Sequence, residues 1–272
     1  MLEQMLSRYA LETEQQRHQA LREVMQEIAL AGLYRGGFFE QAAFYGGTCL
    51  RIFYGLPRYS EDLDFSLLRS QNDFSLAPYF SALEAEFAAL GIGVTITQKR
   101  KSAEAGIESA FLKNDTQVAE LAFGDVKVKI KFEVDTHPPL GFNTEERLLI
   151  EPFSFYVKCF SLPDLYAGKM HALLFRKWKN RVKGRDWFDF EWYVRRGVAL
   201  HLAHFNERAI QSGDLEHAVD ADGFIALVRR RIESVGVELA RQDAERFIGD
   251  VKALDIWSND YFLQLSERMR FV

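Results

Sequence analysis

Tyr45-Gly46-Gly47-Thr48-Cys49-Leu50-Arg51, followed by Tyr59-Ser60-Glu61-Asp62-Leu63-Asp64-Phe65, is the stretch whose reading decides the fold. Two glycines stand before a short helical run over 48–54, where backbone amides and the Thr48 hydroxyl can meet phosphate oxygens. A Gly55-Leu56-Pro57 break separates that run from a strand over 62–67. Alternation along the strand sends the Asp62 and Asp64 carboxylates to one side and Leu63 and Phe65 to the other. Paired carboxylates of this kind suit a hard divalent cation. A solvated sheet edge shows the same alternation, so the pair takes its meaning from the glycines upstream.

Working outward, much of 1–31 reads as helix, with Leu21, Val24, Met25, Ile28 and Ala31 at three- and four-residue steps, and Gly32 is expected to end it. A second helix is expected over 76–90, then strands over 92–98, 117–123 and 126–135, the last two joined by Gly124-Asp125. In the third of these, Val128, Ile130, Phe132 and Val134 alternate with Lys127, Lys129, Lys131, Glu133 and Asp135, giving one apolar and one charged face. Prolines and glycine over 136–142 close the regular structure. An apolar run over 153–160 forms a further strand or leads into the next segment. After Pro163 the pattern turns helical over 164–178 and 186–196 and again beyond Asp214. The expected fold class is therefore α/β (α+β), a mixed-sheet core over 1–155 followed by a mainly helical region over 156–272 that completes the cleft, with the boundary near 150–163.

At 272 residues, 48% hydrophobic and 27% charged, the chain has the composition of a soluble globular protein. Cys49 and Cys159 lack the paired spacing of a zinc or dithiol site and are expected to be reduced and buried. Neither a signal-peptide pattern nor a charge-free apolar span is present, so a cytoplasmic protein with no membrane partner is expected. The net charge of −5 hides a local field: between Lys169 and Arg185 there are seven Lys or Arg residues and no Asp or Glu. Such a run is a solvated face or a phosphate-handling segment.

Two motif groups carry a resemblance. The first is Gly46-Gly47-Thr48-Cys49-Leu50-Arg51 with Tyr54-Gly55-Leu56-Pro57-Arg58-Tyr59-Ser60-Glu61-Asp62-Leu63-Asp64-Phe65. The second is Asp164-Leu165-Tyr166-Ala167-Gly168-Lys169-Met170-His171-Ala172-Leu173-Leu174, then Arg176-Lys177 and Lys183-Gly184-Arg185-Asp186-Trp187-Phe188-Asp189. Together, over roughly 40–195, they resemble the abortive-infection nucleotidyltransferase toxin family (AbiEii-like) of the DNA polymerase beta-like superfamily. The last 75 or so residues lie outside the resemblance.

The resemblance implies a triphosphate clamp at Gly46, Gly47 and Thr48, metal ligands at Asp62 and Asp64, a functional lysine at Lys169 and functional acids at Asp186 and Asp189. Gly47 stands where many members of the superfamily have Ser, which removes one hydroxyl that Thr48 can replace. A third acid is expected on a neighbouring strand. Glu133, inside its strand, is preferred as catalytic residue and metal ligand to Asp135, which can instead cap the following turn. Arg58 and Ser60 join the candidate nucleotide-binding residues, and Arg51 reads as a structural ion-pair partner. Asp186 can cap its helix, Asp189 can orient Lys169 or an arginine, and His171 reads as an ordinary packed or surface histidine.

The implied activity is transfer of NMP from an NTP, with Mg²⁺ or Mn²⁺, to an acceptor hydroxyl. By resemblance the acceptor is the 3′ end of tRNA or another RNA, and the setting a toxin-antitoxin or phage-defence system with a cognate antitoxin. Two alternatives remain open on the sequence: a catalytically inactive nucleotide-binding regulatory module, and a small-molecule nucleotidyltransferase.

Overall fold

A computed structural model describes residues 1–99, 116–123, 128–176, 182–248 and 250–272. The chain divides into two compact units. The first holds residues 1–53, 60–138 and 144–159, the second 54–59, 139–143 and 160–272.

The first unit is built on a mixed sheet of seven strands: β1 (Ala42–Tyr45), β2 (Leu63–Leu67), β3 (Val94–Lys99), β4 (Thr116–Phe123), β5 (Lys129–Asp135), β6 (Thr144–Leu149) and β7 (Phe155–Phe160). Their spatial order is β3-β4-β5-β2-β1-β7-β6. The central strand β2 runs antiparallel to β1 and parallel to β5. Its apolar positions Leu63, Phe65 and Leu67 are buried, as are Ile130, Phe132 and Val134 of β5. The expected alternation in both strands is thus the one the sheet uses. Phe65 anchors that apolar face, with its ring near Phe38, Phe44 and Phe132.

Helix α1 (Leu2–Leu6) precedes the long helix α2 (Glu14–Arg35), which starts at a reciprocal cap between Thr13 and Gln16. Gly32 does not end α2, contrary to expectation. It lies inside the helix, where an added Cβ would come within 2.9 Å of the Leu83 Cα and 3.3 Å of the Ala82 carbonyl on α4 (Phe80–Ala89). Its bare face lets α4 approach, and the helix stops at Gly36 and Gly37, the latter with φ of 74°. The short strand β6, Thr-Glu-Glu-Arg-Leu-Leu, was not expected from its polar composition. It lies at the sheet's edge, where charged side chains are tolerated. The Gly124-Asp125 connection falls outside the described residues.

The second unit is helical: α5 (Leu162–Phe175), α6 (Gly184–Arg195), α7 (Leu202–Gln211), α8 (Ala221–Ser234), α9 (Val237–Ala244) and α10 (Asn259–Ser266). A two-stranded parallel ribbon joins β8 (Ala199–Leu200) to β9 (Arg270–Phe271). The C-terminal residues complete this core around α6. Trp257 and Tyr261 donate to the Glu191 carboxylate at 2.7 and 2.8 Å, and Phe262 packs its ring near Trp187 and Phe190. Among the described residues no helix is long and apolar enough to cross a membrane.

Candidate active site

In the first unit, α3 (Gly46–Tyr54) begins directly after β1, so Gly46 and Gly47 form the helix's first turn instead of a loop before it. Gly46 has φ of 83°, a left-handed conformation, and a Cβ built there would overlap the Asp64 Oδ2. Only glycine satisfies both conditions. The pairing of Tyr45 with Asp64 across β1 and β2 brings this about, setting the carboxylate beside the positive end of α3.

Thr48 is fully buried and its hydroxyl donates to the Asp62 carbonyl at 2.5 Å, so its one proton goes to the chain entering β2. Gln26 grips the same approach, donating to the Ser60 and Glu61 carbonyls at 3.2 and 3.0 Å. Arg51 pairs with Glu23 at 2.8 Å, tying α3 to α2 as a structural ion pair.

The carboxylates are brought to one sheet face by register. Asp64 is the partner of Glu133 across the parallel β2–β5 pair, and Asp62 and Lys131 each stand one residue before the partners Leu63 and Phe132. On the other side of β5, Glu120 of β4 is the partner of Lys131 and Val118 that of Glu133. Partnered residues point to one face. Asp62, Asp64, Glu133 and Glu120 therefore share a face, with Lys131 set among them. Asp62 and Asp64 are half-buried. Glu133 bonds the Lys131 ammonium at 2.5 Å. Partial burial works against that charge, yet Glu133, Asp62 and Asp64 together raise the Lys131 pKa above its ordinary value. Asp135, the alternative third acid, accepts the His137 amide at 3.1 Å and so ties down the turn after β5.

The set is all oxygen, as a hard cation requires, and a cation of this chain already lies in its field. On those two grounds the residues fit a divalent metal. Among the described residues no three His, Cys, Asp or Glu side chains are gathered as a ligand set, and Glu133 is turned onto Lys131. Lys131 and Glu120 were the residues that sequence reasoning passed over. Lys131 was visible on the charged face of its strand, two residues from Glu133, but an alternating face does not say which strands flank it.

The second unit holds the remaining candidates. Arg58, 2% exposed, forks onto Asp189 with two bonds of 2.6 Å, while Lys169 reaches the same carboxylate at 2.8 Å. Burial alone would raise the Asp189 pKa; the two cations overcome it and hold the carboxylate below its usual range. Arg58, expected to face the nucleotide, thus has its charge committed to Asp189. Asp186 is expected to cap α6, but the helix starts at Gly184 and its cap position is Lys183. Asp186 instead lies in the first turn, 3.4 Å from the Arg176 guanidinium. The Gly184 amide donates to Asp243 at 2.9 Å, which supplies the missing cap from α9.

Lys183 is pushed down to about 8 by burial, with Arg176, Lys169 and Arg185 adding to the effect and Asp186 opposing it. Residues 177–181, part of the basic run, fall outside the described residues. His171 contacts Ser212 and Asp214 at 3.0 and 3.2 Å, a packed histidine as expected. Cys49 and Cys159 are buried and form no disulfide.

No curated protein matches the chain by sequence. Solved structures match across nearly its whole length. JHP933 from Helicobacter pylori is 17% identical with a TM-score of 0.52, the match covering 94% of this chain and 90% of that one. MenT4, a nucleotidyltransferase toxin from Mycobacterium tuberculosis H37Rv, is 15% identical with a TM-score of 0.61, covering 97% and 87%. At such identities the likeness speaks for the fold. The sequence profile described as "Nucleotidyl transferase AbiEii toxin, Type IV TA system" matches residues 28–266, taking in both motif groups and helices α5 to α10. The chain therefore belongs to the AbiEii family of nucleotidyltransferase toxins.

Proposed function

We propose that this enzyme binds an NTP with Mg²⁺ or Mn²⁺ at the face formed by Asp62, Asp64 and Glu133 and transfers NMP to the 3′ end of an RNA, tRNA being the preferred acceptor. The observation that carries the reading is the closeness of Gly46 to Asp64, which sets the amide-rich start of α3 against a carboxylate strand. Amides at a helix start attract phosphate, and carboxylates attract the cation that accompanies it.

In this reading Asp62, Asp64 and Glu133 would hold the metal, which would supply charge neutralisation of the triphosphate and favour ionisation of the acceptor hydroxyl. Gly46 and Gly47 present backbone amides to the phosphates. Thr48 holds the Asp62 carbonyl and Gln26 the carbonyls of Ser60 and Glu61 just before it, so that positioning is done before substrate arrives. The acceptor hydroxyl gives up its proton to solvent, its oxygen forms a bond to the α-phosphorus as the bond from that phosphorus to the α,β-bridging oxygen breaks, and pyrophosphate leaves. Within the second unit, Lys169 is read by resemblance as the family's functional lysine, held by Asp189, and Arg58 as a positioning residue that keeps Asp189 ionised. The basic run supports a polyanionic acceptor, and the family's description supports a cognate antitoxin in the cell.

The test is incubation with each α-labelled NTP, Mg²⁺ or Mn²⁺, and total RNA, followed by separation of the products. Label at RNA 3′ ends, concentrated in the tRNA fraction, is expected. Label only in protein or in small molecules would overturn the acceptor assignment.

A further inference from the structure

Lys131 stands in a place that the reaction as read above does not use. Its ammonium is 2.5 Å from Glu133, with Glu120 as its partner on β4 and Asp62 and Asp64 on the adjoining strand of the same face. Its side chain is 43% exposed, so it can swing away without disturbing the core beneath. Four carboxylates on one sheet face repel one another in the absence of a cation. The Lys131 ammonium relieves part of that repulsion and draws Glu133 toward itself.

We propose that Lys131 is a built-in counter-ion of the carboxylate face. In the metal-free protein it occupies Glu133 and disfavours binding of a divalent cation alone, and it exchanges Glu133 for phosphate oxygens when cation and triphosphate arrive together. This rests on the assignment of Asp62, Asp64 and Glu133 as metal ligands. Lys131 then does two things at different stages: before substrate it keeps the face balanced and the third carboxylate engaged, and with substrate its charge is set against the triphosphate. The consequence is coupling, in which nucleotide raises the affinity for metal by more than its own chelation provides.

The experiment is calorimetric titration of Mn²⁺ into nucleotide-free protein, repeated with a non-transferable NTP analogue, for the wild type, Lys131→Met and Lys131→Arg. A single charge a few ångströms from a dication, at the high effective dielectric of a half-exposed site, changes binding by about tenfold. Lys131→Met is expected to bind Mn²⁺ about tenfold more tightly without nucleotide and to lose most of the extra gain from the analogue. Lys131→Arg, which keeps the charge, is expected to stay near the wild type. Unchanged, weaker or unmeasurable Mn²⁺ binding by Lys131→Met, with an unaltered circular dichroism spectrum, overturns the proposal. The underlying assignment is tested separately by Asp62→Asn/Asp64→Asn. Mn²⁺ binding that survives this pair of changes removes the carboxylate site itself, whereas binding that is lost with it but indifferent to Lys131 removes only the counter-ion role.

Discussion

Arg58 and Asp189, 131 residues apart in the chain, meet as a buried two-bond pair with both contacts at 2.6 Å. Neither side chain reaches solvent to any useful extent, at 2% and 0% exposure. A buried pair of this kind is strongly destabilising when one partner is removed, because the other charge is left uncompensated. Asp189→Ala is expected to lower the unfolding free energy by about 3–5 kcal/mol. Arg58→Lys, which keeps the charge but not the planar fork, is expected to lose part of that. Urea denaturation of the three proteins checks both values, and equal midpoints would contradict the pair's structural weight.

Gly46→Ala is expected to combine a backbone strain of roughly 1–2 kcal/mol with displacement of Asp64, because the new Cβ overlaps that carboxylate. Gly91 has a similar φ of 72° and open space around it, so Gly91→Ala carries the strain alone. Thermal melting is expected to fall in both, whereas nucleotide transfer is expected to drop more than tenfold only in Gly46→Ala. Comparable activity in the two variants would show that the contact with Asp64 is of no consequence.

At Gly184 a Cβ would overlap the Ala240 carbonyl and the Ala244 amide of α9, backbone atoms that cannot turn aside. Gly184→Ala is therefore expected to part α6 from α9 and break the Asp243 cap, at a cost of about 2 kcal/mol or more. Hydrogen exchange localised to α6 and α9 is the measurement, and protection equal to the wild type would contradict the packing.

His171 and His204 are both held neutral, each lowered to about 4, first by burial and then by the charge of Arg208. An unfolded histidine keeps its ordinary value of 6.5. Between pH 6.5 and 4 the unfolded chain thus binds protons that the folded chain does not, so stability falls as pH falls through this window. Each of the two histidines steepens that decline by at most about 1.4 kcal/mol for every tenfold rise in proton concentration. His204→Phe, set among Phe142 and Phe160, is expected to flatten the decline. A pH profile of denaturation midpoints identical to that of the wild type would count against the assignment.

What could be read in the sequence followed the range of each interaction. The faces of β2 and β5 were legible because alternation is a local property, and Asp62, Asp64 and Glu133 could be placed on one side of their strands from it. Their placement on a common face was not, since the register of Asp64 with Glu133 depends on a crossover between distant segments. Gly32 was read as a helix end because local propensity does not know that α4 lies against it. Arg58 looked like a substrate cation until its partner, more than a hundred residues away, was visible. Glu191 drew no attention at all, yet it gathers Trp257 and Tyr261 and gives the C-terminal residues their part in the core.

The central claim is that Asp62 and Asp64 carry metal-dependent nucleotidyl transfer. Its most direct test is the rate of label transfer from α-labelled NTP to RNA by Asp62→Asn/Asp64→Asn, a change that keeps side-chain size while removing both charges. The account predicts a fall of at least about a thousandfold, of the size seen when transition-state charge stabilisation is lost, with the melting temperature preserved. Transfer within a few-fold of the wild type would contradict it.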